Sequence, residues 1–529
     1  MGFYVAAGVY SIERDLSQIV PNLLTSSAGI VGYSVKGDVD EIKLMTNSQQ
    51  FIQEYGEPVT GYYFHYSALA YLEKGNVLYC KRVVNGAKYG GVKIRPSTEV
   101  SNAAFSVGTS AKTYFSVSGE EILFEVFGKD PGVWNADVGV RIENIDDTEY
   151  SFDLVVYCKD DDAVYQKMET WTVSRKHKND GYGNQMYLEE KINGFSSYIA
   201  VANNIGKADT VLPKAQVTTL AFTYGSDGSA VSSSHVNTGW NLFANPDDID
   251  VRILINGGYT DVAVQTKMKT IVEDRKDCIA VLDIPSSSLA TPADMITWRN
   301  ATQNFNSSYT ALYGGWLKIN DDYNGGIIVQ VPTSGYMAAQ MAYNDYIGEP
   351  WTAPAGTTRG MLNVIGVTNK LEQGDLETMY VAGINPIRFV RGRGIMIWGQ
   401  KTQQTKASAL DRLNVRRSLI VMEKAISIAL YDFVFENNSV TTRFRISAMV
   451  EDYFDALSAR GAFQTTGDDK GYRIVCDETN NTPAIIARNE LHVDVFVKPI
   501  RTAEFIQLQT IVTATSISFD ELIAKGSLI

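Results

Sequence analysis

The chain has 529 residues, 45% of them hydrophobic and 20% charged, with a formal net charge of −13. Such a length exceeds one ordinary core and points to roughly three or four domains. The acidic balance argues against nonspecific nucleic-acid binding, which needs a basic surface, and no run of 18 or more apolar residues offers a helical membrane span.

The opening MGFYVAAGVYSIERD has no basic leader followed by a long apolar stretch, and Ala6 stands where a myristoylation motif wants Ser or Thr, so no targeting signal is read. Residues 1–25 read as an extended arm. VYSIERD is β-patterned but has no hairpin partner beside it, and an isolated strand cannot satisfy its own backbone groups. Residues 26–92 read as β-β-α-α-β. Asn47 caps the first helix, and the second turns Tyr63, Tyr66, Leu69 and Ala70 inward. Residues 93–212 change to short strands separated by turns (ILFEVFG, DVGVRIEN, YSFDLVVYC, ETWTVS), the pattern of a β-sandwich insertion.

From 213 to 385 the chain returns to a main body. The glycine- and serine-rich tract 224–234 reads as a loop, after which strands and helices alternate as in a mostly parallel, doubly covered sheet. Residues 386–529 form an α+β module. Val415, Leu419, Met422, Ile426, Ala429 and Phe433 make a helical stripe with Arg416 and Arg417 off it, and Ser439 caps a second helix. Leu491, Val493, Val495 and Val497 line one face of a strand, and FIQLQTIV follows as another. The 29 tyrosines supply the amphipathic contact area common at interfaces.

Chemistry finds little support. The histidines are His65, His177, His235 and His492, and none lies between 236 and 491, so an α/β hydrolase triad lacks its imidazole. His235 reads as a surface residue of the serine-rich loop. Asp283 sits where α/β enzymes place acids, but an acid bonding a loop explains it. INGGYTD and RGRGIMIWG lack the complete glycine spacing of a phosphate cradle, and Lys159 with the three following aspartates lacks calcium-loop spacing. Cys80, Cys158, Cys278 and Cys476 are far apart, which excludes a disulfide scaffold or zinc site and fits synthesis in a reducing cytoplasm. In RIVCDETNNTP, Cys476 has no nearby histidine; Asp477, Glu478, Asn480 and Asn481 are turn formers, and a rigid turn accounts for all of them. No catalytic, cofactor or metal residues are assigned.

Several motifs in order carry a resemblance: GVYSIERDLS, AGIVGYSVKGDVDE, TNSQQFIQEYG, YLEKGNVLYCKRVV, GKDPGVWNADVGVRI, PWTAPAGTTRG, INPIRFVRGRGIMIWGQKT, LNVRRSLIVMEKAI, VCDETNNTP and VKPIRTAEFI. Together they resemble the tail sheath proteins of contractile-tailed phages and related injection machines. Ala7 departs from an expected proline, and the last 17 residues run past the family's usual final strand. The resemblance implies a subtilisin-like α/β body without a working triad, an outward-facing β-sandwich insertion and a C-terminal α+β module with strand-exchanging arms. It further implies a non-enzymatic subunit of the virion tail, without cofactors, polymerising as hexameric rings around an inner tube and contracting to drive it through the host envelope. Expected partners are the chain itself, the tube protein, and baseplate and tail terminator proteins, with no direct nucleic acid and no membrane insertion.

Under that resemblance the N-terminal exchange residues are Val9, Tyr10, Ser11, Ile12, Glu13 and Arg14, and the C-terminal ones Val493, Val495, Val497, Phe505, Ile506 and Leu508. Residues 16–26 and 498–504 are candidate hinges. Arg388, Arg391, Arg393, Arg416 and Arg417 are candidates for a charged interface; salt bridges within the chain explain the first three equally well. A tailocin or other injector sheath, or an α/β hydrolase, are the alternatives.

Overall fold

The computed structural model describes residue 20 and residues 24–96, 122–160 and 162–505, with backbone alone at 101–102 and 105–106. A nine-stranded sheet organises the body. Its central strands run parallel in the spatial order Ile384–Val390, Thr310–Gly314, Ile279–Asp283, Ile253–Ile255, Ala28–Gly32 and Leu78–Arg82. Lys43–Met45 closes one side antiparallel; Gly394–Ile397 and then Met361–Leu362 close the other. Ala28–Gly32 therefore knits segments more than 200 residues apart into one sheet.

AGIVG, IAVLD and TALYG are buried at every position, as strands covered on both faces must be. Alternate side chains feed opposite layers. Ile30, Ile253, Ile255 and Val281 join Phe51, Phe64 and Met337 on one side. Val31, Leu254, Ala280 and Leu282 join Trp240, Val264, Met268 and Trp298 on the other.

Three expectations about the body are corrected. The Tyr63–Leu72 helix has no single inward face: Phe64, His65, Ser67, Ala68, Tyr71 and Leu72 are buried beside Tyr66 and Ala70. It is enclosed by the sheet, by the Ser48–Tyr55 helix and by the Ser334–Ile347 helix, where a Cβ on Gly335 would stand 2.5 Å from the Ser67 carbonyl oxygen. The serine-rich tract ends in a helix, Ser233–Asn241, capped by Ser232 and His235, whose hydroxyl and Nδ1 lie 2.7 Å apart. Val236 and Trp240, one turn apart, bury its inner face. Leu317–Asp321 and Ile327–Val331 leave the parallel pattern and pair antiparallel with each other, and Leu317–Asp321 pairs antiparallel with Gly366–Val367 as well. Gly325 and Gly326, both at φ 74°, return the chain in a turn too short for a crossover.

In the insertion two four-stranded sheets pack around a shared core. One contains Tyr165–Ser174, Ser151–Lys159 and Val138–Asp146; the other contains Ile199–Asn203, Phe124–Gly128 and Gly91–Ile94. Phe124 and Phe152 stack between them, ring centroids 5.5 Å apart.

The Leu413–Leu430 helix joins this body to the C-terminal module. Leu413 and Ile420 belong to the body core, whereas Met422, Ala425 and Ala429 pack with Ile446, Val450 and Phe454 of the Val440–Ala459 helix. Lys424 reaches back to Asp277 of the body at 3.2 Å.

Candidate functional site

The Val440–Ala459 helix and the chain reversal after it support a small sheet in which Tyr472–Val475 pairs antiparallel with Asp494–Val497, Tyr472 opposite Val497 and Val475 opposite Asp494. Leu491, Val493, Val495 and Val497 turn toward the module core, while His492, Asp494 and Phe496 face outward. Phe454, Phe463 and Tyr472 form the floor, with Phe454 stacked on Phe463 at 5.5 Å. Among the described residues this sheet has two strands and no further ladder, so each strand keeps one edge of backbone donors and acceptors unpaired in a ladder.

The RIVCDETNNTP stretch closes this sheet. Asp477 Oδ1 accepts the Thr479 amide at 2.8 Å and Asn480 Oδ1 accepts the Asp477 amide at 3.0 Å. Asn480 Nδ2 donates to the Val475 carbonyl at 2.7 Å, and buried Asn481 exchanges two hydrogen bonds with the His492 backbone, at 2.9 and 2.8 Å. The motif thus ties the end of one strand to the approach of the other. Cys476 is buried and its thiol is pushed up by desolvation, which keeps it protonated. His492 points its Nε2 at Glu490, 3.1 Å away.

The other chemical candidates are also internal fittings. Asp283 is buried, accepts the Ser334 amide at 2.8 Å and the Ser334 hydroxyl at 2.6 Å, and takes the Gly258 amide at 3.3 Å. The Gly257 amide donates to Ser334 Oγ at 3.0 Å. The amides that could cradle a phosphate after the Ile253–Ile255 strand are therefore consumed by Asp283 and Ser334. Burial pushes the Asp283 carboxyl up to about 6, against the lowering effect of these donors. Asp160 caps its own turn through the amides of Asp162 and Val164. No cluster of potential metal ligands occurs among the described residues, and no described helix is long and apolar enough to cross a membrane.

Of the assembly residues, Val493, Val495 and Val497 lie on the inner face of the terminal sheet and Phe505 is 84% exposed. Val9 to Arg14, Ile506 and Leu508 fall outside the described residues. Arg391 and Arg393 project from the hairpin between Ile384–Val390 and Gly394–Ile397, exposed and without a salt bridge among the described residues; Arg388 lies over the Trp398 ring at 4.9 Å. Arg416 and Arg417 belong elsewhere. Both are buried, Arg416 over the Tyr309 ring at 4.3 Å and Arg417 in a forked pair with Asp345 at 3.0 and 2.5 Å. The helix carrying them is wedged between body and module, so positions off its apolar stripe still face protein.

Segment 498–504 is held at several points. Lys498 and Ile500 donate backbone hydrogen bonds to Gly471 and Ala462, at 2.8 and 3.1 Å. Asn414 donates to Thr502 Oγ1 at 3.2 Å. Glu504 accepts from Arg412 Nε at 2.8 Å, Tyr380 OH at 2.9 Å and Gln400 Nε2 at 3.1 Å. Nothing in the sequence marks Glu504, because its three partners lie 92 to 124 positions away.

The described residues thus form an α/β body, a two-sheet insertion and a helical module ending in a two-stranded sheet. Residues 235–403 match the family model described as the phage tail sheath protein central domain. The chain is 29% identical over 398 residues to the tail sheath protein of Enterobacteria phage T4, covering 71% of this chain and 58% of that one. It is 29% identical over 324 residues to that of Vibrio phage KVP40, covering 56% and 47%. Over residues 235–403 the chain is thus similar to the phage tail sheath central domain, and over 71% of its length to a phage tail sheath protein. It spans about half the length of these relatives. In fold it is similar to the sheath of an extracellular contractile injection system in the contracted state, with a TM-score of 0.56 at 16% identity, covering 97% of this chain and 98% of that one. It is similar also to a sheath tail protein of Desulfitobacterium hafniense, with a TM-score of 0.56 at 12% identity, covering 89% and 94%.

Proposed function

We propose that this chain is the structural subunit of a contractile tail sheath. Copies stack as hexameric rings around an inner tail tube, between baseplate and tail terminator, and contraction of the stack drives the tube through a host envelope. The body follows the family's subtilisin-like topology without a triad, and the insertion at 93–212 faces outward.

The observation that carries this reading is the incomplete terminal sheet. A two-stranded ladder is marginal by itself, yet here it is backed by helices and leaves strand edges open among the described residues. A strand added from another copy satisfies those edges. Val9 to Arg14 supply a β-patterned segment without a local partner, and the stretch from Phe505 through Ile506 and Leu508 supplies another. Each added backbone hydrogen bond contributes about 1 kcal/mol, and several per junction give links that persist while contacts between bodies, Arg388, Arg391 and Arg393 among them, break and reform. A sheath assembled in a metastable state contracts downhill without nucleotide.

Electron microscopy of the purified full-length chain tests this: tubes or stacked rings are expected. Deletion of residues 1–15 leaves a folded protein that forms none. Normal tubes from the deletion variant would refute strand exchange. A second reading keeps the fold and changes the machine to a tailocin or other injector, favoured by the likeness to injection-system sheaths. Particles purified with or without a DNA-filled head separate the two.

A further inference from the structure

We infer that Glu504 is a latch that sets the direction in which the C-terminal arm leaves the subunit, an inference that rests on the strand-exchange reading above. The last residues before the arm lie outside regular secondary structure, and two of their side chains bond the rest of the protein: Thr502 with Asn414, and Glu504 with Tyr380, Gln400 and Arg412. Arg501, Thr502, Ala503 and Phe505 are exposed, so Glu504 alone among residues 501–505 is partly buried. Glu504 uses both carboxylate oxygens, Oε1 for Arg412 and Gln400 and Oε2 for Tyr380.

Its three donors come from separate parts of the body: the Gln373–Val381 helix, the loop after the Gly394–Ile397 strand, and the capping position of the Leu413–Leu430 helix. Those donors are themselves oriented, Arg412 by Asp411 at 3.0 Å and the Tyr380 ring by the Lys401 ammonium 4.6 Å from its centroid. A charge-assisted, partly buried cluster of this kind is directional as well as strong. The arm is therefore aligned with the body, although the sheet it emerges from belongs to the module. Four residues earlier, Ile500 is fixed to the module through Ala462. Between these two clamps the linker has no slack, so a neighbour bound to the arm keeps a fixed angle to the body until Glu504 lets go.

The test compares full-length wild type, Glu504→Ala and Tyr380→Phe after polymers are removed by centrifugation, with circular dichroism confirming the fold. Hydrogen–deuterium exchange of the peptide covering 499–505 is expected to be at least tenfold faster in Glu504→Ala and intermediate in Tyr380→Phe. Unchanged protection in both overturns the latch, whatever the variants assemble into. In polymers viewed by electron microscopy, Glu504→Ala is expected to assemble with a broadened distribution of diameters. Tubes with the wild-type distribution overturn the latch and leave strand exchange standing, whereas wild-type tubes from the chain lacking residues 1–15 overturn strand exchange itself.

Discussion

Arg417 and Asp345 meet inside the protein, each side chain no more than 5% exposed, with both guanidinium nitrogens facing both carboxylate oxygens. This pair fastens the Leu413–Leu430 helix to the Ser334–Ile347 helix, and hence the terminal module to the body. Removing one partner strands a buried charge. Arg417→Ala or Asp345→Ala is expected to cost about 3–5 kcal/mol, while replacing both by leucine or methionine costs far less. Denaturant midpoints of the two single variants and the double variant check this.

Asn481 is the centre of the clasp that closes the terminal sheet. Its amide serves His492 on both sides and Asp477 as well, and it is 2% exposed. Asn481→Ala orphans the His492 amide, while the Asp477 and His492 carbonyls keep the Asn481 backbone amide and Asn480 Nδ2, and is expected to cost about 1–3 kcal/mol, the usual penalty for one orphaned group. The loss is local: hydrogen exchange should accelerate in Tyr472–Val475 and Asp494–Val497 before it does in the nine-stranded sheet.

Asp283 gives stability a pH dependence of unusual sign. Burial raises its native carboxyl to about 6, above the value in an unfolded chain. Between about pH 4 and 6 the native state therefore holds the extra proton, and stability from this group falls as pH rises through that window. Asp283→Asn cannot ionise and can still accept the Ser334 amide. Its stability relative to wild type should climb by up to about 3 kcal/mol from pH 4 to 7, read as the difference between two urea titrations at each pH. A difference that stays flat would show the carboxyl to be unperturbed.

Arg391 and Arg393 project from a hairpin tip with no salt bridge among the described residues. Arg391→Glu/Arg393→Glu is expected to alter stability by less than about 0.5 kcal/mol. Assembly should weaken, and sedimentation at matched concentration and low salt checks it. Polymerisation equal to wild type would remove these arginines from the interface between subunits or with the tube.

Local features of the chain were legible because they depend on neighbouring residues. The stripe through Val415, Met422 and Ala429, the caps at Asn47 and Ser439, and the alternation from Leu491 to Val497 each correspond to an observed element. Less legible was the Tyr63–Leu72 helix, since a helix covered on several sides has no stripe to read. The helix at Ser233–Asn241 was hidden because glycine and serine just before it dominate the local composition, although Val236 and Trp240 carry its signal.

The sequence by itself determined that the acidic chain is built of β-patterned and helical blocks, that it lacks the histidines a triad would need, and that its Cys476 stretch is a turn. These are properties of composition and short-range spacing. Only the tertiary structure decided that Arg416 and Arg417 are internal, that Asp283 answers to Ser334, and that Glu504 ties the last strand to the body. Each of those partnerships joins residues more than 50 positions apart. Such pairs are fixed by which elements touch, and periodicity along the chain carries no record of that.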